Sequence, residues 1–239
     1  LIDGDLQMAI CNVDSAYCAA KGTREFKQGK YGKGADIVVV LPSAWINMMN
    51  VIVRKDSGIT DISQLKGKTI ACNSGSQMTD YTPMLMKVYG MKPEDYKIVA
   101  TTTTEMADAM RDKIVDAIIQ FGAPPTAAFA DLASTTDVVW LGIDDAHMKA
   151  ILKDYPYFNA TKLPAGSYKG QDKEVSILGN MPVIEALSSL DEEFVFQFVK
   201  CMIENNAEMT KGYAGCKYYT KQSLIDYSKN GALKLHPGA

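Results

Sequence analysis

Apolar and polar positions along the chain alternate between two periods, short strand-like runs and helical stretches between them. Leu6–Asn12 reads as a buried strand, and Ile37–Leu41 is a continuous apolar run of strand length, as expected of a strand buried on both faces. Asn50–Lys55, Thr69–Asn73, Tyr96–Thr101, Asp116–Phe121, Val138–Ile143 and Glu174–Asn180 extend the strand series. Helices are predicted over Asp14–Lys21, stopped by Gly22, and over Gln77–Tyr89, stopped by Gly90 at the C′ position. Another is predicted after the Thr101–Thr104 run, which supplies an N-cap, with Met106, Ala109, Met110 and Ile114 facing inward at helical spacing. Thr126–Ser134, with Pro125 suited to a first helical position, and Asp191–Met209, with acids at its positive end, complete the series. Thr23–Asp36 and Tyr155–Gln171 are rich in loop-forming residues and are read as irregular. Such βαβ alternation predicts an α/β protein with mostly parallel sheets covered by helices.

Composition narrows the class. A hydrophobic fraction of 47%, a charged fraction of 22% and a net charge of −3 are ordinary for a globular protein and give no basic footprint for nucleic acid. The apolar runs are too short to span a bilayer as helices. The five cysteines form no C-x-x-C pair; Cys11 and Cys72 are expected as buried fillers, and pairing of Cys201 with Cys216 is left open.

No constellation for catalysis or metal binding is visible, so no catalytic residue, metal ligand or cofactor is expected. The two histidines, His147 and His236, lack neighbours at metal spacing, and no P-loop, G-x-S-x-G or G-x-G-x-x-G is present. Asp144-Asp145 is read as a helix-start cap.

Three strand-to-helix junctions share a chemistry suited to binding. They are Asn12-Val13-Asp14-Ser15, Ser74 to Thr79, and Gln120 to Thr126. Each places small or hydroxyl residues at the carboxyl end of a predicted strand, where open α/β sheets bind ligands, and offers backbone N–H groups at a helix start, which suit an anion. The arginines are Arg24, in a loop, Arg54, at the far end of a strand, and Arg111, mid-helix, none in one of these three junctions, so a carboxylate would be held by backbone amides and hydroxyls.

The stretch from Asp61 to Ala71, DISQLKGKTIA, followed by Gly75-Ser76, resembles the signature of type II periplasmic binding proteins. Together with Asp14-Ser15-Ala16-Tyr17, Val53 to Ile59, Gly122-Ala123-Pro124, Leu163 to Gln171 and the terminal Leu235 to Ala239, the chain resembles the TAXI family of TRAP-transporter solute-binding subunits. The resemblance implies two α/β lobes, one of residues 1–55 and 175–239 and the other of 56–174, with Gly179 near a hinge. It implies a small-molecule ligand, such as a 2-oxo acid, a dicarboxylate or a glutamate-like compound, held between the lobes. It also implies membrane permease subunits as partners, a monomer, and an extracytoplasmic or periplasmic location, free or anchored as a lipoprotein. The ligand-binding set is then Asn12, Asp14, Tyr17, Trp45, Ser74, Gly75, Ser76, Gln77, Met78, Thr79, Gln120, Gly122, Pro124 and Tyr168. The family reads Gly-Ser-Gly-Thr where this chain has Gly75-Ser76-Gln77-Met78, and its members begin with a strand and helix that the resemblance places before Leu1. The same fold as a ligand-sensing effector domain in signalling or regulation is the alternative.

Overall fold

The structure is a computed structural model, described for residues 1–28, 32–73 and 76–239, with the side chains of 76–79 and 214 left aside. The chain divides into two compact units, Leu1–Ile46 with Asn180–Ala239, and Asn47–Gly179.

The first unit is built on a three-stranded sheet. Strand β1 (Met8–Asn12) and strand β2 (Ile37–Pro42) flank β10 (Pro182–Leu187), and both pairings are antiparallel. Helix α1 (Val13–Lys21) leaves β1 directly and ends at Gly22 in the left-handed conformation, φ +59°, which glycine adopts without a Cβ penalty. The apolar face of α6 (Glu192–Glu204) presents Val195 and Val199 to Val40, Leu41, Ile184 and Ala186. Asp191 caps that helix by accepting the Phe194 N–H at 2.8 Å. The chain then forms α7 (Asn206–Gly212) and α8 (Lys221–Asn230), and Ser223 of α8 donates to Pro42 O at 2.9 Å.

The second unit contains a larger mixed sheet in the order β5-β4-β6-β3-β9-β8, with β7 also paired to β3. Its strands are β3 (Asn47–Arg54), β4 (Thr69–Asn73), β5 (Lys97–Thr101), β6 (Ala117–Gly122), β7 (Val138–Trp140), β8 (Asn159–Leu163) and β9 (Val175–Asn180), whose last residue belongs to the first unit. Helices α2 (Ser76–Val88), α3 (Thr103–Arg111), α4 (Ala127–Thr135) and α5 (Asp145–Asp154) connect them. Met106 and Met110 of α3 and Phe129 and Leu132 of α4 bury completely against Ile52, Ala71 and Ile118. Deleting a side chain such as Phe129 from that core would cost roughly 3–5 kcal/mol.

The α/β layering is as the sequence predicts, but the sheets are not mostly parallel. Among the described residues, β4 runs parallel to β5 and β6, whereas β3 is antiparallel to β6 and β7, and β8 is antiparallel to β9. Side-chain periodicity reports burial and carries no strand direction, so the buried IVVVL run fits an antiparallel neighbour equally well. The expected boundaries at 55/56 and 174/175 also shift, because β3 and Val175–Gly179 are strands of the second unit's sheet. Tyr155–Gln171 is not wholly irregular; it contains β8. The helix predicted over Asp191–Met209 breaks at Asn205, which caps α6 and opens α7. Ile114 is 68% exposed, beyond the end of α3 rather than on its inner face. Pro125 precedes the Thr126 N-cap of α4 instead of opening that helix. The cysteines are free thiols, Cys201 and Cys216 included; Cys72 is buried and Cys11 half-buried.

Candidate functional site

In the second unit the parallel strands β4, β5 and β6 end side by side, at Asn73, Thr101 and Gly122. Two helices begin from these ends. Helix α3 starts behind the Thr102 N-cap, where Thr102 Oγ1 accepts the Glu105 N–H and Glu105 Oε2 accepts the Thr102 N–H at 3.1 Å. Glu105 also accepts the Thr101 hydroxyl, and that bond foremost, with the Thr102 contacts, holds its carboxyl below the usual range. Helix α4 starts behind Thr126, whose side chain makes no cap bond to the helix.

Between the two helix starts lies a chain of polar side chains. Gln120, 6% exposed, donates from Nε2 to Thr103 Oγ1 at 3.1 Å, and the Thr103 hydroxyl donates onward to Asn73 Oδ1 at 3.4 Å. Strand alternation sends the next residue, Phe121, to the opposite face, edge-on to Tyr81 of α2 at 5.4 Å between centroids. Gly122 borders the Gln120 amide: a Cβ built on it would lie 2.9 Å from Thr126 Oγ1 and 3.6 Å from Gln120 Oε1. The backbone there comes closer to these two groups than any side chain would allow.

The loop from Gly122 to Thr126 is fixed from below. The Thr126 N–H donates to the Tyr168 hydroxyl at 2.9 Å, and Thr126 Oγ1 donates to Ala123 O at 3.3 Å. Tyr168 is 4% exposed and stacks on Trp140 at 4.4 Å. Trp140 Nε1 donates to Asn50 Oδ1 at 3.1 Å, and the Asn50 amide donates to Gln120 O at 3.3 Å. Tyr168, expected among the ligand contacts, is thus a buried prop for the loop that carries Gly122 and Pro124. Pro124 is itself half-buried and joined to Pro125 by a cis bond.

The remaining residues of this predicted wall cannot be placed in the same way. Ser74 and Gly75 lie outside the described residues, and of Ser76, Gln77, Met78 and Thr79 only the backbone, the first turn of α2, is described.

The first unit carries the other predicted residues. Asn12 is the N-cap residue of α1, and the Val13 N–H donates to Met181 O at 2.8 Å. Asp14, in the first turn, is fully buried: Oδ1 accepts from Asn180 Nδ2 at 2.8 Å and Oδ2 from Arg24 Nη1 at 3.0 Å. Burial pushes its carboxyl up, and the Asn180 and Arg24 bonds oppose that rise. Asp14 is therefore a clamp between α1, the following loop and the end of β9. Tyr17 lies one turn on, with Lys21 Nζ 5.8 Å from its ring centroid. Register places Asn12, Pro182 and Pro42 at one end of the sheet, and the Ser43 N–H donates to Pro182 O at 3.0 Å. Trp45 follows in that turn, its backbone N–H on Ser43 Oγ and its ring against Tyr218 at 6.3 Å.

Sequence reasoning missed Arg24, Asn73, Thr103 and Asn180. Arg24 reaches Asp14 only because the loop after α1 folds back. Thr103 was signalled by the Thr101–Thr104 run ahead of Glu105, which was used only as a cap. Among the described residues no three His, Cys, Asp or Glu side chains group to hold a metal, and no helix is long and apolar enough to cross a membrane.

Compared with known proteins, residues 1–239 match the NMT1-like family. The chain is also similar to the periplasmic aliphatic sulphonate binding protein SsuA of Escherichia coli, with 15% identity, a TM-score of 0.48, and 97% of this chain and 63% of that one covered. A second similar structure is the alkanesulfonate-binding protein SsuA of Xanthomonas axonopodis pv. citri bound to MOPS, with 14% identity, a TM-score of 0.46, and 96% and 64% covered. A third is an ABC transporter periplasmic binding protein from Brucella ovis with glutathione bound, with 10% identity, a TM-score of 0.40, and 84% and 58% covered. The chain thus spans less than two thirds of the length of each.

Proposed function

The chain belongs to the NMT1-like family, and on that footing we propose that it is a solute-binding subunit of a transporter. Its ligand on this reading is a small organic anion or amino acid, such as a 2-oxo acid, a dicarboxylate or a glutamate-like compound. The observation that carries the reading is the convergence of Asn73, Thr103, Gln120, Gly122 and Thr126 where three parallel strands end and two helices begin. Carboxyl ends of parallel strands are where α/β sheets bind ligands, and helix starts present N–H groups and a positive dipole end to an anion. One exposed helix start contributes about 0.3–1 kcal/mol, so the hydroxyls and amides around it have to act together.

The TAXI-like residues, from the DISQLKGKTIA stretch to the terminal LHPGA, support a finer reading as the extracytoplasmic subunit of a TRAP-type system that delivers its ligand to membrane permease subunits. Binding without turnover fits the second unit's chemistry: the polar groups at these strand ends are amides and hydroxyls, with Glu105 engaged in its cap. Calorimetry of the purified chain against organic acids and amino acids tests this. Saturable one-to-one binding with the ligand recovered unchanged is expected; no saturable binding by any member, or conversion of the ligand, would sink it.

A further inference from the structure

Helix α2 carries two neighbouring stripes. Tyr81, Thr82, Leu85 and Met86 are buried, Tyr81 against Phe121 of β6. Beside them Asp80, Pro83, Met84 and Lys87 follow i, i+3, i+4, i+7 spacing and form one side of a cavity of about 470 Å³. Met91, Lys92, Tyr96 and Tyr155 line it from outside the helix. Small-ligand pockets run from about 300 to 1,000 Å³, so the size suits one short chain or ring. The body of the cavity is apolar: Met84 and Met91 are each 6% exposed, and methionines adapt to irregular shapes. Lys87 and Lys92 are exposed, form no ion pair with another described residue, and outnumber the one acid of the lining, Asp80. Asp95, close by in sequence, is engaged by Lys66 at 3.1 Å and by the Lys92 N–H at 2.9 Å. Tyr96 adds a spare donor. It is 7% exposed, and its hydroxyl has no hydrogen-bond partner among the described residues yet still reaches solvent. Burial raises the pKa of that hydroxyl, so it keeps its proton.

We propose that this cavity is a second binding site, for an amphiphilic anion such as a medium-chain carboxylate. Its apolar chain lies against Met84, Met91 and Tyr155, and its head meets the positive rim at Lys87 and Lys92 and accepts the Tyr96 hydroxyl proton. Nine residues line the cavity, against roughly 20–30 a side in a stable protein interface, which favours a small molecule over a folded partner. Two free lysines favour an anion over a neutral or cationic amphiphile. The site does not rest on the solute-binding reading. Tyr96 precedes β5, whereas the candidate solute site lies where that strand ends, at Thr101.

Methionine-methyl NMR of the whole chain tests this, with octanoate as the probe and butyrate, octanol and octylammonium as its matched controls. Met84→Leu and Met91→Leu, near in volume, assign the two reporter signals. Octanoate should shift both signals saturably and leave those of Met106 and Met110, buried under α3, in place. It should bind at least about tenfold more tightly than butyrate, since each buried methylene is worth up to about fourfold. It should also bind about fivefold or more above octanol and octylammonium, and that margin should shrink in high salt. The double variant Lys87→Gln/Lys92→Gln, on two exposed residues, should fold normally and bring the margin toward one. Tyr96→Phe should weaken octanoate about threefold or more with the melting temperature unchanged, because the hydroxyl bonds to no described residue. Unmoved Met84 and Met91 signals overturn the proposal. So does equal binding of octanol or octylammonium, which would make the cavity an apolar contact surface without charge selection. A margin that survives in the lysine double variant, or full octanoate affinity in Tyr96→Phe, overturns it as well. None of these results bears on the solute-binding reading, which calorimetry with short organic acids and amino acids decides separately.

Discussion

Arg24 and Asp14 form an ion pair at 3.0 Å in which the carboxylate is fully buried and the arginine side chain partly buried. The pair joins the first turn of α1 to the loop that follows it, and Asn180 completes the carboxylate's hydrogen bonds. Removing one partner leaves a buried charge uncompensated. Arg24→Met is expected to lower stability by roughly 3–5 kcal/mol. The double variant Arg24→Met/Asp14→Leu is expected to recover part of that loss, since no buried charge remains. Urea unfolding of the single and double variants decides it; equal losses in both would show that Arg24 acts through packing alone.

Glu185 sits in the central strand of the three-stranded sheet, 8% exposed, and burial raises its carboxyl above the ordinary range. A group whose folded pKa is raised contributes stability that is present below its unfolded pKa and lost as pH rises through the folded one. Glu185→Gln is therefore expected to match wild type in acid and to gain on it as pH rises, by roughly 1–3 kcal/mol at neutral pH. Denaturant midpoints of both proteins across the acidic to neutral range measure this. A gap that does not widen with pH would mean that Glu185 ionises as freely folded as unfolded.

Tyr168→Phe keeps the stack on Trp140 and removes the acceptor of the Thr126 N–H. A loss of roughly 1 kcal/mol is expected. Amide exchange at Thr126 should accelerate more than at Ala117 or Ile118 in β6, and uniform acceleration would point to general destabilisation instead.

Thr103→Val strands two groups at once, the Gln120 Nε2 donor and the Asn73 carbonyl oxygen. A destabilisation of roughly 1–3 kcal/mol is expected, with Thr103→Ser close to wild type because it keeps the hydroxyl. Thermal melts of the two variants separate the hydroxyl from the methyl group.

What the sequence disclosed follows from what periodicity encodes. Strands β2, β4 and β6 are apolar runs bounded by turn residues, and α1, the Thr102 cap and the Asp191 cap were all legible locally. Strand β8 escaped because NATKL is polar and partly exposed, so its pairing with β9 supplies what its side chains do not. Strand β10 escaped because Pro182 opens it and Glu185 interrupts its apolar run. At the site, the strand-end junctions were readable, since small and hydroxyl residues after an apolar run are a local pattern. The Gln120–Thr103–Asn73 chain and the Arg24–Asp14 pair were not, because each joins residues far apart in sequence whose meeting depends on the finished sheet or loop.

The placement of β10 between β1 and β2 also fixes an order of assembly. The second unit is one uninterrupted stretch, Asn47–Gly179, with all its strands in hand once Gly179 has been made. The first unit's sheet has its two outer strands at the start of the chain and its middle strand after that whole stretch. On a ribosome, β1 and β2 emerge before β10, the strand that pairs with both, has been made, while the intervening unit is synthesised and free to fold as a unit. The exposed Ile10 on β1 and the fully buried run of β2 would then be the segments most open to capture by a chaperone or by a second nascent chain during that interval.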